Sequence, residues 1–441
     1  MARECWAPKY MDGFHCIGTA CEDDCCHGWR IIVDQETYKR LKKRMSHNSE
    51  DRIKFRNGFK RERGANRSFS NYAIISHNKK KACPFLQENK LCEIHGSFGE
   101  EYLSLTCATY PRIIKRVGER WELSAALSCP EVARKCLLGE TATEVVKLDL
   151  RGLKGKRLAA KGLVAVDHKT YHRHRDVLRE VVLNMLSARH YPLSSRLFFA
   201  AFFAKKTADF LNEQSRGDVS ADLAATIDLF ADAVQVEEMH RQFQGMDPPV
   251  ELPISIINWI LLGKSQTSNE SFRLLLSEIG VTYGRAMGLG PSADSAAGSD
   301  IANMDKAKLL SAYLQRRSGL MGRYASCLDL IFENYCRTVW FASGPEESAD
   351  LLEHLRKLLV RFVVFRFLLI SHPALDPLLD PLSLEENIGS TPKALEQAAV
   401  DVAYRFSRGL EHDAKFLEEI QKRLDEQGMK SVAHLALLIK V

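Results

Sequence analysis

Cysteines are concentrated at one end of this chain. Ten of the 12 lie within the first 136 of its 441 residues. Cysteines that are adjacent or closely spaced rarely pair with one another as disulfides, whereas a metal requires several thiolates in one small volume. The sequence therefore predicts a thiolate-bound metal centre in the N-terminal third. Eight cysteines in two short-spaced groups are its candidate ligands: Cys16, Cys21, Cys25 and Cys26, then Cys83, Cys92, Cys107 and Cys129.

The spacing of these cysteines leaves the kind of metal open. Zinc and iron–sulfur clusters both use four thiolates. The first group matches neither the C-x2-C-x2-C run of ferredoxins nor the paired C-x2-C knuckles of zinc ribbons. Eight thiolates suffice for two four-ligand sites, or for one cluster with spare thiols. His95, three residues after Cys92, is more typical of a hydrogen-bonded histidine than of a metal ligand.

Length and composition place the chain among ordinary globular proteins. A chain of 441 residues predicts two or three domains, and its 45% hydrophobic and 27% charged residues are unremarkable for a water-soluble protein. The N-terminus has no apolar signal region. Of the two most apolar runs, residues 197–204 are too few to span a bilayer, and residues 358–370 are interrupted by Arg361 and Arg366. We therefore expect no membrane association and a cytoplasmic location, where thiols stay reduced and available to metal.

Positive charge is concentrated in the same N-terminal region. The whole chain carries a net charge of +6, and residues 1–140 contain 25 Lys and Arg against 18 Asp and Glu. The densest stretch, residues 39–67, has 12 basic and three acidic residues. Such a stretch is most often a solvated face, and the alternative is a docking surface for an anionic partner. Few aromatic residues interleave with the basic ones and no nucleic-acid motif is present, so nucleic acid is not the expected partner.

The predicted fold is mainly α. It comprises a cysteine-rich metal-binding region over residues 1–140, a connector over 141–170 and a multi-helix domain over 171–441. Residues 112–124 predict a short β-hairpin that turns at 117–119, and Pro130 predicts the first turn of a helix. Residues rich in Gly, Ser and Ala near 285–303 predict a flexible loop. Apolar residues at helical spacing predict helices that include 253–262, 270–284, 305–342, 346–371, 393–411 and 413–427.

Polar residues also occur where the helical pattern is apolar. Glu333 and Asn334 lie inside an apolar helical run and therefore require buried partners. Arg408, Glu411 and His412 lie at i, i+3 and i+4, which predicts that they share one helix face. No G-x-G-x-x-G follows a predicted strand, and neither a P-loop nor a serine-nucleophile elbow is present. Any enzymatic chemistry would not depend on a doubly wound nucleotide-binding domain.

At these residues the chain resembles the flagellin lysine N-methylases. The resemblance begins at residues 8–10 and 14–29, continues at 83–86, 91–95, 107–112 and 127–131, and returns at 333–335 and 406–412. It therefore extends over most of the chain, and it is most specific in the cysteine-containing segments. Those segments are also similar to the broader class of small bacterial zinc- or iron-chelating cysteine domains.

The resemblance implies methyl transfer from S-adenosylmethionine to lysine side chains of flagellin. It also implies a [4Fe–4S] cluster held by N-terminal cysteines, with zinc as the alternative metal, and it leaves the eight cysteines as a candidate set. The usual C-x3-C-x2-C spacing of radical S-adenosylmethionine enzymes is absent, because Cys26 follows Cys25 directly.

Methyl transfer to lysine requires a neutral amine, because a lysine ammonium with a pKa of about 10.4 has no free electron pair at pH 7. The candidate catalytic residues are therefore side chains able to accept a proton: Tyr110, Tyr335, Glu411 and His412. Two other functions remain open at this stage. One is a zinc-stabilised binding module without enzymatic activity, and the other is an iron–sulfur redox protein.

Overall fold

The computed structural model of the chain describes residues 4–78, 81–117, 120–149, 163–164, 174–213, 219–246, 269–287, 304–343, 348, 350–380, 391–411, 414–426, 428 and 431–440. The chain divides into two compact units. The first comprises residues 1–132 and 144–165, and the second comprises residues 133–143 and 166–441. The predicted flexible loop falls mostly outside the described residues, as does the predicted helix over 253–262.

The first unit contains two sheets. In its described part the strands are β1 (Glu4–Pro8), β2 (Ile32–Val33), β3 (Phe59–Arg61), β4 (Ala73–Ile75), β5 (Arg112–Val117), β6 (Arg120–Ala125), β7 (Val145–Asp149) and β8 (Leu163–Val164). One sheet has the order β7-β1-β6-β5-β8 and the other has the order β2-β4-β3. β5 and β6 form the predicted antiparallel hairpin. The other strands of the larger sheet were not predicted, and two of them, β7 and β8, lie within the expected connector.

Short helices pack beside these sheets. They are α1 (Gln35–Arg44), α2 (Ser49–Gly58), α3 (Glu93–Phe98), α4 (Leu105–Thr109) and α5 (Pro130–Leu137), which begins at the predicted proline. Side chains cap the first two at their N-termini. The Asp34 carboxylate accepts the Thr37 N–H at 2.8 Å, and the Asn48 carbonyl oxygen accepts the Asp51 N–H at 2.7 Å.

The second unit is helical throughout its described part. Its helices are α6 (Arg175–Leu186), α7 (Leu193–Glu213), α8 (Val219–Ala231), α9 (Ala233–Gly245), α10 (Glu270–Ala286), α11 (Lys306–Ala342), α12 (Leu351–Ile370), α13 (Asp376–Leu379), α14 (Lys393–Phe406), α15 (Ala414–Glu426) and α16 (Val432–Lys440). The mainly helical fold class is thereby confirmed. α12 is buried over nearly its whole length and forms the centre of this unit's core.

Helix bounds follow the predictions closely, with one difference in kind. The segment predicted as one helix over 393–411 is α-helical only as far as Phe406, and Ser407–Glu411 continue it as a π-helix. The i, i+3 and i+4 spacing therefore no longer defines one α-helical face at Arg408 and Glu411. Among the described helices, none is alone long and apolar enough to cross a membrane, and only the bent pair Leu351–Ile370 and Pro373–Leu379 meets that criterion jointly.

The polar residues of α11 find the partners that their burial requires. Glu333, with 2% of its surface exposed, accepts hydrogen bonds from Arg189 Nε at 3.0 Å and from Arg196 Nη1 at 2.6 Å. The Asn334 amide donates to the Leu137 and Gly139 carbonyl oxygens at 3.0 and 2.9 Å.

Arg337, one turn after Glu333, completes this network. Its Nε donates to Thr143 Oγ1 at 2.8 Å, and its Nη1 donates to the Leu183 carbonyl oxygen at 3.2 Å. Together the three polar residues of α11 fix the segment between α5 and β7, and the end of α6, to the long helix.

Glu333→Gln should destabilise the second unit, because it leaves two guanidinium groups beside a neutral amide. We expect the free energy of unfolding to fall by about 3–5 kcal/mol. The measurement is urea unfolding followed by circular dichroism. Glu419→Gln, which breaks an exposed i, i+4 pair with Arg423, is the matched control and should cost under about 0.5 kcal/mol. Equal losses in the two variants would contradict a structural role for the buried network.

Candidate functional site

Five cysteine side chains of the first unit lie together, and we call them the buried thiol set after its two buried members, Cys26 and Cys83; Cys92 and Cys107 are partly buried, and Cys25 is exposed. The Cys26 thiol is hydrogen-bonded with the thiols of Cys25 and Cys83. Cys107 lies close enough to Cys92, Cys25 and Cys83 for their charges to interact. The set therefore combines members of both groups seen in the sequence.

Backbone pairing explains how these distant residues meet. The Cys83 N–H donates to the Cys26 carbonyl oxygen at 2.8 Å, so the chain after Cys25 runs beside the chain that ends at Cys83. A second bridge joins Leu86 to Cys92. Cys107 comes from α4, where the Ser104 hydroxyl caps the helix by accepting the Cys107 N–H at 3.2 Å.

The remaining three candidates form a second group, which we call the open thiol set: Cys16, Cys21 and Cys129. The electrostatic neighbours of the Cys129 thiol are Cys21 and Cys16. Cys16 is exposed, and the other two are partly buried. Cys129 directly precedes α5, and the buried Arg112, which donates to the Phe14 carbonyl oxygen at 3.0 Å, lies near Cys129 and Cys16.

Backbone N–H groups point at sulfur in both sets. In five cases the donor lies two residues after the cysteine: Gly18 for Cys16, Asp23 for Cys21, Phe85 for Cys83, Ile94 for Cys92 and Glu131 for Cys129. These hydrogen bonds stabilise the thiolate, which is the form that binds metal. At Cys92 and Cys129 the donors are the first turns of α3 and α5, where the helix dipole adds to the effect.

Burial opposes these hydrogen bonds. It raises the pKa of Cys107 to about 12 and that of Cys129 to about 11, and it also raises the pKa of Cys92. Cys83 differs, because the hydrogen bond with Cys26 lowers its pKa, whereas hydrogen bonds with Cys25 and then with Cys83 raise the pKa of Cys26. When it binds, a cation must therefore displace protons from the thiols whose pKa is raised.

The chemistry of both sets fits a thiolate-bound metal. Cys26, Cys83, Cys92 and Cys107 line an enclosed cavity of about 20 Å³. Among the described residues no three cysteine sulfurs lie within 4.8 Å of one another, whereas a tetrahedral zinc site holds sulfurs about 3.8 Å apart. A single ion would draw the thiolates inward, and a cluster of several ions bridges sulfurs that lie further apart.

Tyr110, a predicted catalytic residue, lies beside both sets. Its hydroxyl is hydrogen-bonded with Ser128 Oγ at 3.1 Å, next to Cys129. Its ring packs on Trp29 with centroids 5.4 Å apart, and the Trp29 indole N–H donates to the Cys25 carbonyl oxygen at 2.9 Å. The structure thus places this phenol in contact with Ser128, which precedes Cys129, and with Trp29, which contacts the Cys25 backbone.

Of the other three predicted catalytic residues, only Tyr335 has a side chain that the structure describes. Tyr335 has none of its surface exposed and stacks on Phe365 in the core of the second unit, at 4.1 Å between ring centroids. Glu411 ends the π-helical turn, with its side chain outside the described residues, and His412 lies outside them altogether. The roles of these three residues stay predictions.

The second unit contains a group of ligand-type side chains that the sequence analysis did not identify. Within the described ranges, Glu278, His372 and Asp401 are the only such group whose ligand atoms all lie within 4.8 Å. Arg405 donates to Asp401 at 2.9 Å and to Glu278 at 3.2 Å. The His372 Nδ1 accepts the Ala374 N–H, so Nε2 carries the proton and donates to Asp401 at 3.1 Å. The group is therefore satisfied as an ion-pair network.

The second unit also has a cleft of about 430 Å³ between the α6–α7 loop, α11 and α12. Asp329 lines it, and burial raises the pKa of that carboxyl group above its ordinary value. Arg317 and Arg366 line the same cleft. The Arg366 guanidinium donates to the Ile439 and Leu438 carbonyl oxygens, so Asp329 and Arg317 are the charged groups of the cleft that suit a ligand with both an amine and a carboxylate. Sequence gave a single indication of it, the i, i+4 spacing of Asp329 and Glu333 in an apolar helix.

Comparison with known proteins identifies relatives of the chain. Residues 179–438 match the family described as the FliB lysine N-methylase C-terminal domain. The flagellar biosynthetic protein FliU of Salmonella muenchen is 31% identical over 149 residues, which are 30% of this chain and 75% of FliU. The lysine-N-methylases of Salmonella typhimurium strain LT2 and Salmonella choleraesuis strain SC-B67 are each 31% identical over 149 residues.

The extent of these matches differs. The aligned segment covers 30% of this chain and 31% of the length of each of the two lysine-N-methylases. No solved structure matches the chain.

Removing a single thiol should lower the metal content of the set to which that thiol belongs and leave the other set loaded. Cys92→Ser and Cys107→Ser should lower the metal bound by the buried set, and Cys129→Ser should lower the metal bound by the open set, because each loses a ligand atom. The measurement is iron and zinc content per chain after anaerobic purification. Cys327→Ser, which removes a partly buried thiol of α11 outside both sets, is the control. Full metal content in all three test variants would refute the assignment.

Metal binding should strengthen with pH. Thiols whose pKa is raised by burial are protonated at neutral pH, so each proton that the metal displaces makes the apparent association constant rise up to tenfold per pH unit. For zinc added to metal-free protein, we expect at least a tenfold rise between about pH 6.5 and pH 7.5. Competition with a chelator, corrected for its own protonation, measures this change. An affinity that does not change with pH would show that the ligands are not these thiols.

Proposed function

The chain belongs to the FliB lysine N-methylase family, and we propose that it transfers methyl groups from S-adenosylmethionine to lysine side chains of flagellin. The observation that carries this proposal is the family match over residues 179–438, which includes nearly all described helices of the second unit. The names of the relatives support the substrate: one is a flagellar biosynthetic protein and two are lysine-N-methylases.

We assign different roles to the two thiol sets. The buried set offers five thiols, enough for a closed four-thiolate centre that holds the fold of the first unit together, with zinc or an iron–sulfur cluster as the metal. The open set offers three thiols in a more exposed position. Three protein ligands leave one coordination position for another molecule, as in catalytic metal sites.

We propose that Cys16, Cys21 and Cys129 hold a [4Fe–4S] cluster. When bound, this cluster would supply an iron with a free position, a Lewis acid to which the amino and carboxylate groups of S-adenosylmethionine could bind. The N–H groups of Gly18, Asp23 and Glu131 would stabilise the three thiolates.

The transfer itself is a displacement at carbon. The electron pair of the neutral lysine amine forms a bond to the methyl carbon, the bond from that carbon to the sulfonium sulfur breaks, and S-adenosylhomocysteine leaves. Before the attack the lysine ammonium must lose one proton, and the partly exposed Tyr110, whose hydroxyl is hydrogen-bonded with Ser128, is the residue near the open set that can relay this proton to solvent water. The aromatic rings of Tyr110 and Trp29 also provide an apolar surface that disfavours the charged form of the amine.

Incubation of the iron-loaded chain with flagellin and methyl-labelled S-adenosylmethionine tests the proposal. We expect label in flagellin lysines, and Tyr110→Phe should lower kcat by about 10²-fold while leaving the iron content unchanged. Tyr324→Phe, which removes the hydroxyl of a partly buried tyrosine of α11, is the matched control.

The outcomes distinguish the alternatives. A colourless zinc protein that transfers no label would support a binding module. A brown protein that exchanges electrons and transfers no label would support a redox function. Equal activity of the wild-type protein and Tyr110→Phe would exclude Tyr110 from proton transfer.

A further inference from the structure

The basic stretch of the sequence folds around a groove in the first unit. A cavity of about 1010 Å³ is bounded by α1, α2, β3 and the turn at Gly64–Asn66. Seven exposed cationic side chains line it: Lys42, Arg52, Arg56, Lys60, Arg61, Arg63 and Arg67. We call this cavity the basic groove.

The charge of the basic groove is not compensated. Within the described part of the chain, none of its seven cations forms an ion pair. The one acidic residue in the lining, Glu62, is paired with Arg30. Positive charges gathered on a concave surface raise the local positive potential. An anionic ligand would therefore be attracted by several cations at once.

Two of the arginines are held in place before any ligand arrives. The Tyr72 hydroxyl is hydrogen-bonded with the Arg61 side chain, and the Arg67 guanidinium lies over the Tyr72 ring, 4.7 Å from its centroid. Because these two arginine side chains are already ordered, less side-chain conformational entropy is lost when they bind a carboxylate.

The strand at the groove has an open edge. In the sheet order β2-β4-β3, strand β3 pairs with β4 on one side and, among the described strands, has no neighbour on the other. Its residues Phe59 to Arg61 line the groove. The Phe59 N–H already donates to the Phe55 carbonyl oxygen, and the remaining backbone N–H and C=O groups of this edge are those that an extended peptide can pair with.

Aromatic and apolar residues in the lining favour a peptide over nucleic acid. The rings of Phe55 and Phe59 are buried in the core, so they are not free to stack on bases. Ile53, 51% exposed, offers an apolar contact among the arginines. An apolar contact flanked by arginines suits a peptide in which an apolar side chain lies between two acidic side chains.

From these observations we infer that the basic groove binds an extended acidic segment of a partner protein, which adds a strand to β3 and places its carboxylates on the groove arginines. The inference does not depend on the proposed methyl transfer, since binding requires neither donor nor metal chemistry.

The test uses the full chain and fluorescence anisotropy. The probe is a labelled seven-residue peptide, Glu-Asp-Glu-Ile-Asp-Glu-Asp, and a labelled thymidine heptanucleotide is the comparison. Arg52→Glu with Arg56→Glu should weaken peptide binding at least tenfold. Arg273→Glu with Arg285→Glu makes the same charge change on the exposed face of α10 and should alter the Kd less than twofold. Thermal unfolding checks that both double variants fold.

Backbone methylation of the probe tests strand addition separately. Methyl groups on alternate amide nitrogens keep the charge but remove donors, so binding should weaken at least tenfold. The proposal is overturned by an equal loss in both double variants, by tighter binding of the oligonucleotide than of the peptide, or by unchanged binding of the methylated probe.

Discussion

Hydrogen bonds from backbone N–H groups to cysteine sulfur are the interaction on which the candidate metal centre depends. A hydrogen bond to a charged group contributes about 1.5–3 kcal/mol, whereas burying an isolated thiolate costs more than that. The balance is visible in Cys92 and Cys129, whose pKa values stay above that of an exposed thiol despite two N–H donors each. The protein alone thus keeps these thiols protonated. A bound cation would supply the further stabilisation that the buried thiolates require.

The second unit buries charged and polar side chains of α11 in its core. Glu333, Asn334 and Arg337 occupy positions in α11 that apolar residues would fill at lower desolvation cost. Their hydrogen bonds fix irregular backbone between α5 and β7, where carbonyl groups have no regular secondary structure to pair with. The network therefore satisfies buried polar backbone, which an apolar side chain could not do. This gives a physical reason for polar residues in the most buried part of a helix within the family-matched region.

The first unit combines two electrostatic features that would serve a protein-modifying enzyme together. Its thiol sets bring together candidate ligands for a metal, and its basic groove brings together cations that would attract an acidic polypeptide. The seven groove cations are exposed, so salt within a Debye length of about 8 Å at physiological ionic strength screens them. Within the buried set, Cys26 and Cys83 are buried and are therefore screened much less. Partner binding would therefore respond to salt, and metal binding would respond to pH.

The sequence determined what depends on near neighbours along the chain. Helical periodicity fixed α10, α11, α14 and α15 to within a few residues, and the alternation over residues 112–124 fixed the β5–β6 hairpin. It also indicated which cysteines are ligand candidates and that Glu333 and Asn334 needed partners, because both inferences follow from residue type and local pattern.

Tertiary structure decided what depends on contacts between distant residues. Cys25 and Cys26 join Cys83, Cys92 and Cys107, while Cys16 and Cys21 join Cys129, because backbone hydrogen bonds such as that between Cys83 and Cys26 cross more than fifty residues of chain. The same holds for β1, which pairs with β6 and β7, and for the open edge of β3. Spacing along a chain records local geometry, and it carries no information about which backbone segments will lie side by side after folding.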